Sequence, residues 1–178
     1  MPKFILKITE ADSKKDYINE TDAKCFIYSA SLDDEYLRRQ IAAASSADKI
    51  VLLEGEEAES KVKSLGADGL VTDLSKTSAI KKEMRRIRSE LPHCFLGVIC
   101  RNRRHEAMIV SENEPDFIIF KIWEDGKENT LELTKWYNEF FLLQMAVEPM
   151  DKQVDFSAYP ADMVILSPED YKILVAKK

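Results

Sequence analysis

Two carboxylates, Glu54 and Asp73, each end a short apolar run that is typical of a strand. At the carboxyl ends of neighbouring parallel strands, two such side chains can supply oxygens to Mg²⁺, while water and phosphate fill its other positions. The alternative is that each acid caps the helix that follows it, where the helix dipole favours a negative charge. Asp73 lies just before Ser75 and Lys76, a spacing that favours the cap.

The densest basic group after a predicted strand is formed by Arg101, Arg103 and Arg104. Guanidinium groups bind phosphate through paired N–H bonds, so they can replace a glycine-based phosphate loop. The alternative is a solvated first helical turn whose arginines pair with Glu106 or other acids. Polar residues at the predicted strand ends make up the candidate ligand site: Glu54, Asp73, Arg101, Asn102, Lys121 and Ser167.

Other reactive side chains are few. The two histidines, His93 and His105, fit no metal-ligand spacing, so they predict no metal site. His105 is either a general base or a surface residue. Cys100 is either a nucleophile whose pKa Arg101 lowers, or an inert buried thiol. Nucleophile-elbow, P-loop, dinucleotide-binding and paired-cysteine motifs are all absent, so no catalytic residue is assigned.

A second basic group and a set of aromatic residues raise the question of macromolecular partners. Five cations on one predicted helix are expected to form its solvated face: Lys81, Lys82, Arg85, Arg86 and Arg88. The net charge of −6, from 26 basic and 32 acidic residues, argues against nucleic acid and membrane surfaces. Trp123, Trp136 and Tyr137 belong either to the core or to an exposed patch, so a homodimer stays open.

Composition sets the broad class. With 178 residues and 45% hydrophobic side chains, the chain is expected to form one domain, residues 1–178. Its five glycines leave little scope for loops that bind phosphate through backbone N–H groups. Three cysteines without paired spacing, no secretory segment and no apolar run near the ~18 residues of a membrane span predict a cytoplasmic protein.

Eight β-rich runs alternate with amphipathic stretches along the chain. The predicted strands are Phe4–Ile8, Cys25–Ala30, Lys49–Glu54, Gly69–Asp73, Phe95–Cys100, Phe117–Ile122, Phe141–Val147 and Met163–Leu166. Two connections, 10–23 and 150–160, predict at most a single helical turn. This α/β pattern fits a small, trimmed (β/α)8 barrel, and an open doubly wound parallel sheet is the alternative.

Helix ends are marked by capping signals. Ser31 has an acid three residues later, and Ser167 precedes Pro168 and two acids, so both serines are predicted N-caps. Gly66 fits the left-handed residue that closes a helix. Leu131–Glu139 is predicted to be helical.

Three segments between about residues 51 and 121 resemble the thiamine phosphate synthases in order and spacing: Leu65–Val71, Leu96–Ala107 and Pro115–Phe120. That family is a compact (β/α)8 barrel that uses magnesium and binds pyrophosphate. The resemblance therefore implies the barrel fold and a site at the carboxyl ends of its strands.

Several family features are missing. Glu148 and Pro149 stand where the family has its phosphate-binding glycines, and Glu54 and Gly55 replace its magnesium-binding Asn-Asp pair. The basic second strand has no counterpart in Cys25–Ala30. The leading hypothesis is a divergent relative that lacks the family's reaction, and is non-catalytic or binds a small phosphorylated ligand. The alternatives are a magnesium-dependent phosphate-handling enzyme that uses Glu54, Asp73 and Arg101, and a barrel-based interaction scaffold.

Overall fold

The computed structural model describes residues 2–152 and 154–177. Its strands are β1 (Lys3–Ile8), β2 (Cys25–Ser29), β3 (Ile50–Glu54), β4 (Gly69–Asp73), β5 (Phe95–Ile99), β6 (Phe117–Ile122), β7 (Gln144–Pro149) and β8 (Met163–Leu166). Its helices are α1 (Tyr17–Glu20), α2 (Asp34–Ser46), α3 (Ala58–Leu65), α4 (Ile80–Glu90), α5 (Arg104–Glu112), α6 (Lys127–Phe140) and α7 (Pro168–Ala176), with a 3₁₀ turn at Phe156–Ala158.

The strands follow one another in chain order around a closed barrel. Strands β1 to β4 pair in parallel in chain order, as do β5 to β8, and a helix or helical turn connects each strand to the next. Parallel strands need such crossovers, and the crossovers cover the outer face of the sheet with helices. The structure therefore confirms the predicted (β/α)8 barrel over the open sheet.

The chain divides into two compact units. One unit comprises Phe4–Val71 and Leu166–Lys178, and thus holds most of β1, all of β2 and β3, and most of β4. The other comprises Thr72–Ile165 with the first residues of the chain, and thus holds β5 to β7 and most of β8. That residues 1–178 form one domain remains a prediction.

Three aspartates fasten the starts of the strands within these units. Each precedes an even-numbered strand, and its carboxylate accepts the backbone N–H of a residue near the start of the preceding strand at 2.7–2.8 Å. Its own N–H donates to the carbonyl of that same residue at 2.8–3.0 Å. The pairs are Asp68 with Val51, Asp116 with Leu96, and Asp162 with Met145. We call these contacts the aspartate clasps.

The predicted strand bounds agree with the structure to within one residue except at β7. Phe141–Val147 was expected, but β7 begins at Gln144 and runs to Pro149. The reason is that Phe141 stacks on Tyr137 of α6, with ring centroids 4.7 Å apart, so the first aromatic of this run packs on the preceding helix. The weak connections contain the short helix α1 and the 3₁₀ turn, as expected.

Two of three predicted helix signals are confirmed. Ser167 caps α7 with Pro168 in the first turn, and Gly66 closes α3 with a φ of 74°. The Ser31 prediction is wrong, because Asp33 is the N-cap of α2 and accepts the N–H of Tyr36. The Ser31 hydroxyl instead shares a hydrogen bond with Ser29. Among the described residues, no helix has the length and hydropathy to cross a bilayer.

Candidate functional site

A cavity of about 310 Å³ lies at the carboxyl ends of β5 and β6. It gathers three of the predicted site residues, Arg101, Asn102 and Lys121. Its remaining walls come from the end of β5 and two neighbouring loops: Ser75, Ile99, Cys100, Arg103 and Trp123. We call this space the β5–β6 cavity.

Two arginines supply unopposed positive charge to the β5–β6 cavity. Arg101 and Arg103 are exposed, and neither makes an ion pair with a described residue. The predicted alternative, pairing with Glu106, is not found: Glu106 Oε2 is buried and accepts no hydrogen bond from a described residue. Arg104 lies over the Trp136 ring instead, 5.1 Å from its centroid. Guanidinium groups stay protonated, so the charge at the cavity is permanent.

Asn102 shapes the cavity by joining three elements. Its Nδ2 donates to the carbonyl of Lys121 at 2.8 Å and to Thr130 Oγ1 at 2.9 Å. Both amide hydrogens are therefore used in holding the segment before α5 against β6 and α6. Asn102 Oδ1 is buried and accepts no hydrogen bond from a described residue. This geometry assigns Asn102 a positioning role.

Lys121 reaches the cavity from β6. Phe120 lies against Tyr137 of α6, with ring centroids 5.5 Å apart, so the alternation of a strand turns Lys121 to the opposite face. Lys121 is half-buried, and its register partner on β7 is Glu148, which is 7% exposed. The Lys121 ammonium makes no ion pair with a described residue, so it is available to an anion.

Asp73 contributes to the cavity only through Ser75. Its Oδ1 accepts the Ser75 backbone N–H at 2.9 Å and the Ser75 hydroxyl at 2.6 Å. Helix α4 begins later, at Ile80, and Ala79 is its N-cap. The expectation of a helix cap is therefore wrong in detail, because the carboxylate closes a turn within the loop instead.

The remaining two candidates, Glu54 and Ser167, lie in the other unit. Glu54 Oε2 contacts Lys7 Nζ at 2.8 Å, and both side chains are about four-fifths buried. Glu57 is the N-cap of α3, so Glu54 does not cap that helix. Ser167 Oγ accepts the Asp170 N–H at 3.1 Å and donates to the Asp170 carboxylate at 2.9 Å. Ser167 therefore serves α7 as its cap.

Cys100 is not an activated nucleophile. Burial raises the pKa of its thiol to about 12, and the charge of Glu106 acts in the same direction. The thiol lies 3.2 Å from the carbonyl oxygen of Arg101 and donates to it. Of the two alternatives for Cys100, the structure therefore supports the inert buried thiol, because desolvation of the thiolate is the dominant effect.

Metal binding gains no support from side-chain clustering. Over residues 2–152 and 154–177, no three His, Cys, Asp or Glu side chains are placed to hold one ion. Glu54 and Asp73 each have a local partner within their own unit. The predicted magnesium pair therefore remains a prediction.

Sequence reasoning missed Ser75 and Trp123 as cavity residues. Ser75 carried a signal, because an Asp two residues before a Ser is typical of a turn closed by the carboxylate. Trp123, grouped in the sequence with Trp136 and Tyr137, is instead 48% exposed and lines the cavity. Tyr137 is buried and shares a hydrogen bond with Ser111 at 2.7 Å.

Comparison with known proteins identifies the fold. No protein-family model and no curated protein sequence matches the chain. Among solved structures, a thiamine phosphate pyrophosphorylase from Pyrococcus furiosus is similar with a TM-score of 0.70 and 12% identity, covering 98% of this chain and 96% of that one. The YdjI aldolase from Escherichia coli gives a TM-score of 0.68 at 9% identity, covering 98% and 79%.

The homocysteine methyltransferase MmuM from Escherichia coli gives a TM-score of 0.64 at 15% identity, covering 98% of this chain and 96% of that one. These three proteins are named for different reactions, and a shared fold does not imply a shared activity. The likeness therefore establishes architecture alone. The chain is a (β/α)8 barrel of the kind seen in thiamine phosphate pyrophosphorylase.

Proposed function

We propose that this chain binds a small phosphorylated ligand in the β5–β6 cavity and does not catalyse the thiamine phosphate synthase reaction. The observation that carries the proposal is the group of three cations around this cavity, Arg101, Arg103 and Lys121, none paired with a described residue. An anion that accepts hydrogen bonds from several such groups is held by charge-assisted bonds. The volume of about 310 Å³ suits a compact ligand.

The start of α5 adds to this attraction. Arg103 is its N-cap, and no side chain accepts the N–H groups of the first turn. The positive end of the helix therefore lies beside the arginines, and a helix N-terminus favours anions. The arginines and the α5 N-terminus together can replace the glycine-based phosphate loop that the resembled family uses.

The end of β7 supports the absence of the family's reaction. In the resembled family, phosphate is bound after the seventh strand by glycine N–H groups, whereas β7 here ends in Glu148 and Pro149. Proline has no N–H to donate, so the end of β7 lacks a backbone donor where the family uses glycine N–H groups. The end of β7 therefore offers no phosphate site of the family type, and the proposed phosphate site lies at β5 and β6 instead.

The magnesium-dependent alternative is less well supported by the contacts of the two carboxylates. Glu54 is engaged by Lys7, and Asp73 by Ser75. A leaving pyrophosphate needs a metal ion or cations in the transition state. Because both carboxylates already have partners, their contacts favour ligand binding over metal-assisted transfer.

Isothermal titration calorimetry tests the binding directly. Inorganic phosphate, pyrophosphate and glycerol 3-phosphate are titrated separately into the wild-type chain, with and without Mg²⁺. We expect saturable binding that Mg²⁺ does not require, and a loss of about tenfold or more in Arg101→Ala, since one charged hydrogen bond contributes about 1.5–3 kcal/mol. Arg39→Ala, at an exposed arginine of α2, is the matched control.

Two results would contradict the proposal. Equal affinity in wild type and Arg101→Ala would place the anion elsewhere. Robust turnover of hydroxymethylpyrimidine diphosphate with the thiazole phosphate would show that the family reaction is retained. A homodimer, and the residence of the chain in the cytoplasm, remain predictions of the sequence.

A further inference from the structure

Helix α4 presents a basic face to solvent. Its buried side chains, Ile80, Met84 and Ile87, form one stripe, as an amphipathic helix requires. The rest of the helix carries five cations and two acids. This excess of positive charge stands out in a chain whose net charge is −6.

Two of the five cations already have structural partners. Arg86 pairs with Glu83 at 3.0 Å and with Glu90 at 3.7 Å. Arg88 pairs with Asp116 at 3.1 Å and donates to the carbonyl of Cys94 at 2.8 Å. Both acids of α4, Glu83 and Glu90, are therefore paired with Arg86.

The other three cations are Lys81, Lys82 and Arg85. All three are exposed, and none makes an ion pair with a described residue. Like charges placed side by side on one helix repel one another and stabilise it less than paired charges do. The helix therefore gains no ion-pair stabilisation from these three cations, which leaves them available to a partner of opposite charge.

The three cations surround a surface groove of about 780 Å³ between the start of α4 and the end of α5. The groove also exposes an apolar surface, because Ile109 of α5 is half-buried and lies in its wall. Asn113 supplies an amide, and Glu112 is the one carboxylate among the residues that line it. We call this feature the α4–α5 groove.

We propose that the α4–α5 groove docks an acidic segment of a partner protein, in which Glu or Asp side chains alternate with an aliphatic one. The acidic side chains meet Lys81, Lys82 and Arg85, and the aliphatic side chain covers Ile109. Charge complementarity of this kind fixes the choice of partner and speeds association. The groove is distinct from the β5–β6 cavity in the residues that line it.

A protein segment fits the groove better than a nucleic acid does. No aromatic side chain lines the groove, whereas single-stranded nucleic acids are bound by stacking on aromatic rings. The carboxylate of Glu112 would repel a phosphate backbone. A peptide can place an uncharged residue beside Glu112 and keep its acids for the three cations.

Fluorescence anisotropy tests the proposal with a fluorescein-labelled peptide of alternating glutamate and leucine. A peptide with lysine in place of glutamate and a labelled single-stranded oligothymidylate are the comparison probes. The protein variants are Lys81→Glu with Arg85→Glu, and Lys135→Glu on the exposed face of α6 as the matched control. An acid at position 81 lies in the first turn of α4, where the helix dipole favours it, so the groove variant is expected to fold.

We expect the acidic peptide to bind the wild type, more weakly as salt rises, and about tenfold more weakly to the groove variant, with Lys135→Glu unchanged. Circular dichroism verifies that the variants fold. Absence of binding to the wild type at low salt, or equal loss in both variants, would overturn the proposal. Tighter binding of oligothymidylate than of the acidic peptide would assign the groove to nucleic acid and would also overturn it.

Discussion

The aspartate clasp at Asp116 gives a prediction whose size follows from its contacts. Its carboxylate accepts the Leu96 N–H at 2.7 Å, and Leu96 is buried. Asp116→Ala leaves this N–H without an acceptor, which costs about 1–3 kcal/mol. The partly exposed ion pair with Arg88 adds at most about 1 kcal/mol. We therefore expect a loss of about 2–3 kcal/mol in the free energy of unfolding.

Urea unfolding and thermal unfolding both measure this loss. For a chain of this size, about 2–3 kcal/mol corresponds to a fall of about 5–10 °C in Tm. Asp68→Ala is the comparison, because Asp68 makes the same clasp to Val51 with no ion pair to an arginine, so its loss is expected to be smaller. A change within about 0.5 kcal/mol for Asp116→Ala, the range of an ordinary surface substitution, would refute the reasoning.

Two further predictions concern Gly97 in β5 and Cys100, the residue that follows this strand. Gly97→Ala places a Cβ 2.5 Å from the buried Phe117 ring, so we expect overpacking to lower the free energy of unfolding by about 1–3 kcal/mol, as urea unfolding measures. Phe117→Leu in the same chain is expected to relieve the overpacking. An unchanged stability of the single variant would show that the ring moves freely. Burial raises the Cys100 pKa from 9.0 to about 12, so the thiol's contribution to stability is complete below about pH 9 and is lost as pH rises towards 12. At pH 8 we expect iodoacetamide to modify Cys100 at least about tenfold more slowly in the folded chain than in the chain unfolded by urea. Peptide mass mapping measures both rates, and equal rates would contradict the burial of Cys100.

The sequence was sufficient for elements whose signal is local. The bounds Gly69–Asp73, Phe117–Ile122 and Met163–Leu166 agree with the structure, because continuous runs of apolar residues are typical of strands covered on both faces. Gly66 and Ser167 were likewise identifiable, since a left-handed helix end and an N-cap each depend on neighbouring residues alone.

Elsewhere the decisive contacts are distant in the sequence. The start of β7 was misplaced because Phe141 looks like part of a strand until its stacking on Tyr137 is known. Asn102 was chosen as a ligand residue by position, but its hydrogen bonds to Lys121 and Thr130 depend on the packing of α5 against β6 and α6. No periodicity in the sequence reports such a contact.

In the candidate site, too, the sequence identifies some features, whereas others depend on contacts between distant residues. Placement at strand ends was enough to select Arg101 and Lys121, which do line one cavity. It could not distinguish them from Glu54, because the ion pair of Glu54 with Lys7 joins β3 to β1. Whether a polar strand end is free or already paired depends on the neighbouring strand.

A crystal structure with glycerol 3-phosphate bound tests the central claim most directly. We expect phosphate in the β5–β6 cavity, with Arg101 or Arg103 and Lys121 nitrogen atoms at about 2.7–2.9 Å from its oxygens. Phosphate bound at the end of β7, or a β5–β6 cavity without phosphate at a saturating concentration of the ligand, would contradict the account.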